Sequence, residues 1–229
     1  MGRTFSLAAT GVAKLAAVVC VISMQTVIVD ALEESGKDRA IELLKSGSLV
    51  AFPTDTVYGL AAYPWDEAAV ERLYQVKQRP KTLPIPLLLS HSVEVEQVAM
   101  LPDRCRKLAQ RFWPGGLTLV LEKKASVSQS ITDRPTVAVR VPDLPLARDI
   151  IRRAGGVLAV TSANISGAAS PVTAQEVEEQ LGGRIALIVD GGSCPAGVPS
   201  TVLDCSVWPP VVLRAGFVGE DELHAEGLR

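Results

Sequence analysis

The amino-acid sequence predicts an α/β fold built on a twisted, open, mixed sheet with helices. Short uncharged or β-branched runs, such as residues 48–53 and 85–90, are typical of buried strands. They alternate with segments of helical periodicity, such as residues 66–78. Some connections between predicted strands are too short to hold a helix, so the sheet cannot be purely parallel.

In the first part of the chain, a strand, a helix and a second strand are predicted. Residues 26–30 are short and β-branched, which favours a strand. Ser35 or Asp38 can begin a helix, and Gly47 ends it. Residues 48–53 form an apolar run that stops at a proline, which is typical of a buried strand.

The next elements follow at once. Residues 54–62 are predicted to turn from the strand end into a short helix. Asp66 can cap a further helix, which Pro80 ends. Residues 85–90 carry no charged side chain, as expected of a strand that is covered on both faces. Two more helices are predicted, at residues 93–99 and 102–112.

The rest of the chain continues this alternation. Residues 117–123 and 136–142 are rich in β-branched and apolar residues, which favours strands. Residues 144–154 form a predicted helix that two glycines close, and residues 157–164 are an apolar strand that ends in small polar residues. The last predicted elements are a helix from Thr173 to about Leu181 and strands at 185–192, 200–204 and 210–214.

The length of 229 residues suits one domain of ordinary size or two small ones. No linker rich in Pro, Gly or Ser divides the chain after residue 47, so we predict one domain over residues 24–218 and a polar tail over 219–229. Residues 15–29 carry no charge, but this run is shorter than the roughly 20 residues that span a bilayer, so no stable membrane association is expected. Residues 1–23 are interpreted as an extension outside the core, either a targeting segment or a misassigned start.

Composition excludes several classes of protein. With 23 Lys and Arg against 25 Asp and Glu, the net charge is −2, so the chain does not bind nucleic acid by bulk attraction. Only 4% of residues are aromatic, which argues against a stacking platform for single strands. Two histidines are too few for a His-rich metal site, and no motif of a P-loop, a dinucleotide-binding fold, a zincin or a serine hydrolase is present. The four cysteines show no CxxC spacing and are expected to be buried free thiols in a reducing compartment.

Two early segments carry candidate binding residues. Thr54 and Tyr58 lie just after an apolar strand, where their hydroxyls suit a small polar ligand; a helix cap with Tyr58 in the core is the alternative. Lys77, Arg79 and Lys81 place three cations within five residues at a helix end. They suit a polyphosphate, or they complement the helix C-terminus on a solvated face.

Two later segments add to these. Thr136 and Arg140 share one face of a predicted strand, where an arginine is costly unless it meets an anion or pairs with a carboxylate. Ser162 and Asn164 follow a buried strand and resemble an anion-holding loop, with an Asx or ST turn as the alternative. Three further residues fit this set: Ser170, Ser200 and Arg214.

Taken together, these segments resemble the YrdC-like family of L-threonylcarbamoyladenylate synthases, in its single-domain form. The resemblance covers roughly residues 37–218. It rests on PTDTVYGLA (53–61), KQRPKTLPIPLLL (77–89), FWPGGLTLVL (112–121), TVAVRVPD (136–143), TSANISG (161–167), IVDGG (188–192), PSTVLD (199–204) and VLRAG (212–216). The resemblance implies a twisted mixed sheet around a large, concave, cationic cavity.

The resemblance also implies a reaction. L-threonine, bicarbonate or CO2, and ATP give L-threonylcarbamoyladenylate, pyrophosphate and water in a nucleotidyl transfer that needs no covalent nucleophile. Downstream proteins then transfer the threonylcarbamoyl group to tRNA, and direct contact with tRNA is left open. A Mg²⁺ ion is expected with ATP. The resemblance places the activity in the cytoplasm, with organellar targeting by residues 1–23 as the alternative.

The family pattern assigns roles to the candidate residues. ATP would be held by Lys77, Arg79, Lys81, Thr136, Ser162, Asn164, Ser170, Ser200 and Arg214. Threonine would be held by Thr54, Tyr58 and Arg140, with Arg140 as the partner of its carboxylate. The chain departs from the pattern at Gln78, where the family often has Gly, and at Leu83, where it often has a polar residue. Two other classes stay open: an RNA-binding module that uses the same cavity, and a carbamoyl-adenylate transferase domain.

Overall fold

The computed structural model describes residues 25–225, and its central feature is an eleven-stranded mixed sheet. The strands are β1 (Val27–Asp30), β2 (Val50–Phe52), β3 (Gly59–Ala62), β4 (Leu87–Leu89), β5 (Ala99–Met100), β6 (Leu117–Lys123), β7 (Thr136–Arg140), β8 (Val157–Ser162), β9 (Leu187–Asp190), β10 (Thr201–Asp204) and β11 (Val211–Arg214). The helices are α1 (Glu34–Lys45), α2 (Glu67–Lys77), α3 (Val95–Val98), α4 (Asp103–Phe112), α5 (Pro145–Ala154), α6 (Ala174–Leu181) and α7 (Glu220–Ala225).

The strand order is β1-β9-β2-β3-β8-β4-β7-β6-β10-β11, with β5 paired to β6. The pairs β1/β9, β2/β9, β4/β7 and β6/β10 are parallel. The remaining pairs are antiparallel, including β3/β8 and β6/β7. The predicted α/β fold with a mixed sheet is therefore confirmed.

Side chains of successive strand residues point to opposite faces, so the sheet builds two apolar layers. On β2, Phe52 joins the layer formed with α1 and α5, whereas Ala51 joins the layer on the other side. On β8, Leu158 and Ala159 divide in the same way. Strand β4 lies between β7 and β8 and is fully buried, which explains why its sequence carries no charge.

The short helix predicted over residues 54–62 is wrong. A turn occupies residues 54–58, and strand β3 follows it. Strand β3 pairs with β2 on one side and with β8 on the other, so its backbone groups are satisfied by long-range ladders. The predicted helix at 93–99 is also shorter than expected, because a 3₁₀ turn at Ser92–Glu94 precedes α3 and β5 begins at Ala99.

The C-terminal boundary predicted at residue 218 is too early. Helix α7 lies within the segment expected to be a polar tail, and its Leu223 is buried in the core with 1% of its surface exposed. The hydroxyl of Thr201 donates to the Val218 carbonyl at 2.7 Å and accepts from the Val218 amide at 3.0 Å. The packed unit therefore includes α7.

Three of the four cysteines, Cys105, Cys194 and Cys205, are free and buried, as predicted. Cys20 and the extension predicted over residues 1–23 lie outside the described residues. No helix between residues 25 and 225 has both the length and the apolar character needed to cross a membrane.

Candidate active site

A polar cavity opens where β3, β7, β8 and β10 lie near one another. Its empty space, including the open solvent at its mouth, is about 660 Å³. Eight of the twelve predicted site residues line it: Thr54, Tyr58, Arg79, Arg140, Ser162, Ser170, Ser200 and Arg214. The other lining residues include the hydroxyl-bearing Thr56, Thr118 and Thr161. The structure thus gathers into one cavity segments that are far apart in the sequence.

Three arginines give this cavity its charge. Arg79, Arg140 and Arg214 all line it, and no described lining residue is acidic. Burial lowers the pKa of all three guanidinium groups, and repulsion from Arg214 acts in the same direction on Arg79 and Arg140. Like charges gathered in this way favour the binding of an anion between them.

Two of the three arginines have no carboxylate partner among the described residues. Arg79 donates from Nε to the Leu83 carbonyl and from Nη2 to the Pro84 carbonyl, both at 3.0 Å. Arg214 donates from Nη2 to the Ser200 carbonyl at 2.7 Å and to the Ser200 hydroxyl at 3.2 Å. These bonds orient the guanidinium groups and leave their positive charge available to a ligand.

Arg140 has a carboxylate partner. Its Nη2 lies 2.5 Å from Asp55 Oδ1, its Nη1 donates to the Thr56 hydroxyl at 2.9 Å, and its Nε donates to the Gly115 carbonyl at 2.8 Å. Of the two interpretations drawn from sequence, the internal ion pair is the one that the structure shows. These contacts use three of the five N–H donors of the guanidinium group, and two are left without a partner in these bonds.

The hydroxyls of Thr54 and Tyr58 are engaged by the protein itself. The Thr54 hydroxyl donates to the Val57 carbonyl at 2.8 Å and thereby closes the turn before β3. The Tyr58 hydroxyl donates to the Gly192 carbonyl at 2.8 Å, and burial raises the pKa of this phenol. Tyr58 is therefore in the core, as the alternative interpretation of this segment predicted. The helix cap that the same alternative predicted is not found, because residues 54–58 form a turn that no helix follows.

Four predicted ATP-binding residues do not line the cavity. Lys81 pairs instead with Glu71 at 2.7 Å on the surface. Thr136 lies on β7 opposite Glu122 of β6. Lys77 and Asn164 are both buried, and the Lys77 ammonium contacts Asn164 in the loop that follows β8. The assignment of Lys81 to ATP stays a prediction, because its side chain pairs here with an acid on the preceding helix, which the spacing of three cations could not show.

Lys77 contacts Ser162, the last residue of β8, and the residues just after it, which we call the 162–164 loop. The Lys77 ammonium donates to the carbonyls of Ser162 and Asn164 at 2.5 and 2.6 Å and to Asn164 Oδ1 at 3.1 Å. The Asn164 side chain also accepts from the Ser162 hydroxyl at 2.5 Å and donates to the Ala168 carbonyl at 2.7 Å. Ser162 itself lines the cavity.

Sequence reasoning missed one lining residue of β6. Thr118 lies in the run LTLVL, and its hydroxyl is 2.8 Å from that of Ser200. Both side chains are buried at the cavity, so the pair presents two hydroxyls side by side. The available signal was a single hydroxyl among leucines in an apolar strand, which also fits an ordinary core position.

A larger cavity, with about 1400 Å³ of empty space, lies beside β1 and the start of α5. Its lining is mostly apolar, and its charged residues are Asp30, Asp149, Asp190 and Lys37. Three carboxylates against one ammonium do not suit a polyphosphate. The smaller cavity with three arginines is therefore the candidate active site.

A family model named for Sua5, YciO and YrdC, with the description "Telomere recombination", matches residues 42–216 of this chain. The chain belongs to the Sua5/YciO/YrdC family. This confirms the resemblance found in the sequence motifs, because the matched residues include every segment that contributes to the cavity.

Several named proteins are similar in sequence to this chain. The threonylcarbamoyl-AMP synthase of Pyrococcus abyssi is 43% identical over 87% of this chain and 60% of that protein. The enzyme of the same name from Bacillus subtilis is 44% identical over 82% of this chain and 55% of that protein. The chain thus spans little more than half the length of these two relatives. A putative threonylcarbamoyl-AMP synthase of Mycobacterium tuberculosis is 38% identical over 80% of this chain and 85% of that protein.

Solved structures agree with the fold. Pyrococcus abyssi Sua5 complexed with L-threonine has a TM-score of 0.86 at 42% identity and covers 88% of this chain and 61% of that one. Escherichia coli YciO has a TM-score of 0.79 at 24% identity, over 87% of this chain and 98% of that one. A HypF structure at 20% identity shares the fold over 79% of this chain, and that likeness extends to the fold alone.

Proposed function

We propose that this chain is a threonylcarbamoyl-AMP synthase and, in reaction class, a nucleotidyltransferase. It would form threonylcarbamoyl-AMP and pyrophosphate from L-threonine, ATP and either CO2 or bicarbonate, with water as a further product when bicarbonate supplies the carbon. The observation that carries this proposal is the cavity itself, where Arg79 and Arg214 bring unpaired positive charge to a group of hydroxyls. The names of the relatives and the threonine complex of Pyrococcus abyssi Sua5 support it.

The reaction requires little of the protein beyond positioning the reactants. The amine of threonine adds to CO2 and gives a carbamate with release of a proton. A carbamate oxygen then attacks the α-phosphorus of ATP, and pyrophosphate leaves with the electron pair of the broken P–O bond. Neither step needs a protein nucleophile, and the gain comes from holding charged reactants together and from stabilising the developing negative charge.

The cavity residues divide into two sets for this task. Arg79, Arg214 and Ser200 would hold the phosphates, because two guanidinium groups without carboxylate partners suit a polyanion. Arg140 would offer its two remaining N–H donors to the threonine carboxylate, while Asp55 fixes its plane. Thr54 and Tyr58 would shape the threonine end through the turn that they hold.

Mg²⁺ is expected to enter with ATP. The described lining includes no carboxylate, and no group of three or more His, Cys, Asp or Glu side chains suited to a metal ion occurs among residues 25–225. Phosphate oxygens and water would therefore supply the ligands, as Mg²⁺ commonly has in nucleotide sites. When bound, the ion would neutralise phosphate charge beside the arginines. The downstream transfer proteins, direct tRNA contact and a cytoplasmic location stay predictions.

The decisive experiment omits one substrate at a time. Purified protein is incubated with ATP, L-threonine and bicarbonate, and pyrophosphate release is measured together with the mass of the product. The expected result is release only when all three are present, with a product of the mass of threonylcarbamoyl-AMP. Release without threonine and a carbamoyl-AMP product would favour the carbamoyl transferase, and salt-sensitive RNA binding without turnover would favour the RNA-binding module.

A further inference from the structure

Lys77 is the last residue of α2, and its side chain is buried with 1% of its surface exposed. It does not line the cavity, although Arg79, two residues later, does. The ammonium of a lysine has three N–H donors, and all three find oxygens of the 162–164 loop. A donor set that is fully used by the protein leaves nothing to offer a ligand.

The backbone of Lys77 contacts the residues that follow the 162–164 loop. Its carbonyl accepts from the Ser166 amide at 2.9 Å. The end of α2 and the loop after β8 are therefore joined by four hydrogen bonds to a single residue. The loop cannot shift relative to α2 without breaking several of them.

Asn164 Oδ1 connects Lys77 to the cavity. It accepts from the Lys77 ammonium at 3.1 Å and from the Ser162 hydroxyl at 2.5 Å. A hydroxyl has one proton, so Ser162 can donate to a ligand in the cavity only by turning away from Asn164. Lys77 would then still satisfy the buried amide oxygen, which would otherwise lose its donors.

We propose that Lys77 is a positioning residue, whose ammonium fixes the 162–164 loop and frees the Ser162 hydroxyl to donate to a phosphate of bound ATP. This inference rests on the proposed function and changes the role that the sequence assigned to Lys77. Lys77 acts through Ser162 and Asn164, and Arg79 and Arg214 contact the nucleotide. The ammonium of Lys77 stays on the loop when ATP binds.

The first test is a double-mutant cycle on steady-state kinetics with ATP, threonine and bicarbonate. Lys77→Met is expected to raise the KM for ATP about 10-fold or more, because losing a hydrogen bond to a charged group, here from Ser162 to a phosphate, weakens binding roughly 10- to 100-fold. In a Ser162→Ala background, the same change is expected to raise it by no more than about 3-fold, since the coupling of contacting residues is lost. Equal effects in both backgrounds would overturn the proposal and indicate direct contact with ATP.

Lys45→Met is the matched control for this cycle. Lys45 is the last residue of α1, as Lys77 is of α2, but it is exposed. Its replacement removes the same charge at the same helical position and is expected to leave the KM for ATP unchanged. A general loss of folded enzyme would lower the apparent kcat and leave the KM unchanged, which separates that effect from the one proposed.

A second test needs no turnover. Hydrogen exchange of the Ser166 amide in the ligand-free protein is expected to be faster in Lys77→Met and unchanged in Lys45→Met. Unchanged exchange in Lys77→Met would overturn the loop-holding role, even if the protein proved to be the proposed synthase. Faster exchange together with absent ATP turnover would instead refute the proposed function and the role in ATP binding while leaving the loop contact in place.

If Lys77→Met does not fold, the wild-type protein supplies the answer. The ζ-nitrogen signal of Lys77 is followed by NMR in lysine-labelled protein as ATP is added, next to the guanidinium signal of Arg79. The expected result is a shift at Arg79 and little change at Lys77. A shift at Lys77 as large as that at Arg79 would show that its ammonium turns to the phosphates, which contradicts the proposal.

Discussion

At the scale of single residues, Lys77 and Arg79 show how two neighbouring cations take different roles. The residue between them, Gln78, has a left-handed backbone with φ of 52°. This conformation ends α2 and turns the chain, so Lys77 points down into the loop after β8 while Arg79 reaches the cavity. The same turn places Arg79 against carbonyls of its own segment, which orient the guanidinium group.

Replacing Arg79 by Ala is expected to impair ATP use far more than stability. Arg79 has no carboxylate partner among the described residues, and hydrogen bonds to charged groups contribute about 1.5–3 kcal/mol. We expect the KM for ATP to rise roughly 10- to 100-fold. The KM for threonine and the midpoint of urea unfolding are expected to change little. An unchanged KM for ATP would remove Arg79 from the phosphate site.

The ammonium of Lys77 makes stability depend on pH. Burial, and then repulsion from Arg79, lowers the pKa of Lys77 to about 7, although the three oxygens that it contacts favour the charged form. In the unfolded chain the pKa of lysine is about 10.4. Between these values the unfolded chain binds more protons than the folded protein, so the free energy of unfolding rises with pH in this window.

Urea unfolding at pH 6.5 and at pH 9 checks this pH dependence. The free energy of unfolding of the wild type, relative to that of Lys77→Met, is expected to increase from the lower to the higher pH. Arg79 is the charged neighbour that acts on the ammonium, and its own charge is constant in this range. A difference that does not change with pH would show that Lys77 keeps its proton throughout.

At the scale of elements, the end of α2 carries a strained cap. Gln78 donates its amide to the Gln75 carbonyl at 3.0 Å, and Arg79 donates its amide to the Tyr74 carbonyl at 2.9 Å. This is the Schellman pattern, which usually has Gly in the left-handed position. The departure from the family pattern at this position thus has a physical consequence, because a side chain in this conformation costs about 1–2 kcal/mol.

Gln78→Gly is therefore expected to raise the free energy of unfolding by roughly 1 kcal/mol. Gln75→Gly is the control, since Gln75 is exposed inside the same helix and glycine there costs about 1 kcal/mol. The two substitutions should shift the midpoint of urea unfolding in opposite directions. A loss of stability in both would mean that the backbone of Gln78 is not strained.

Strand β3 and the ion pair of Arg140 mark what the sequence could not predict. Buried apolar runs were sufficient for the other long strands, because their pattern is local. The run GLAA of β3 has no β-branched residue, and its strand character comes from pairing with β2 and β8. Likewise, Asp55 and Arg140 are 85 residues apart, so their pairing depends on the closed sheet.

The candidate site was predictable to the extent that its residues lie at the ends of elements, after helix α2 or at the ends of strands. Arg79, Ser200 and Arg214 were assigned from sequence and do line the cavity. Lys81 was assigned on the same grounds and pairs with Glu71 on the surface. The difference is a matter of side-chain direction after the αL turn, which residue spacing alone does not determine.

At the scale of the whole molecule, the last described elements, β11 and α7, pack against the cavity and the core that earlier elements form. Strand β11 brings Arg214 to the cavity, and α7 then packs Leu223 into the main core. The contacts of Thr201 with Val218 connect β10 to the segment before α7. The C-terminal elements therefore support the arginine side of the cavity.

Leu223→Ala is expected to destabilise the protein by about 2–5 kcal/mol, the range for a buried leucine. Leu213→Ala is the control, because Leu213 lies on β11 and 56% of its surface is exposed. That change is expected to cost about 0.5 kcal/mol or less, as surface substitutions do. Thermal unfolding of both variants checks this, and equal melting temperatures would place α7 outside the cooperative unit.

The walls of the cavity come from residues as early as Thr54 and as late as Arg214. A nascent chain therefore cannot complete this cavity until strand β11 has left the ribosome and joined β10. Binding of ATP would in turn report on completion of the fold, since a ligand that binds only the native state raises the apparent stability of all of it.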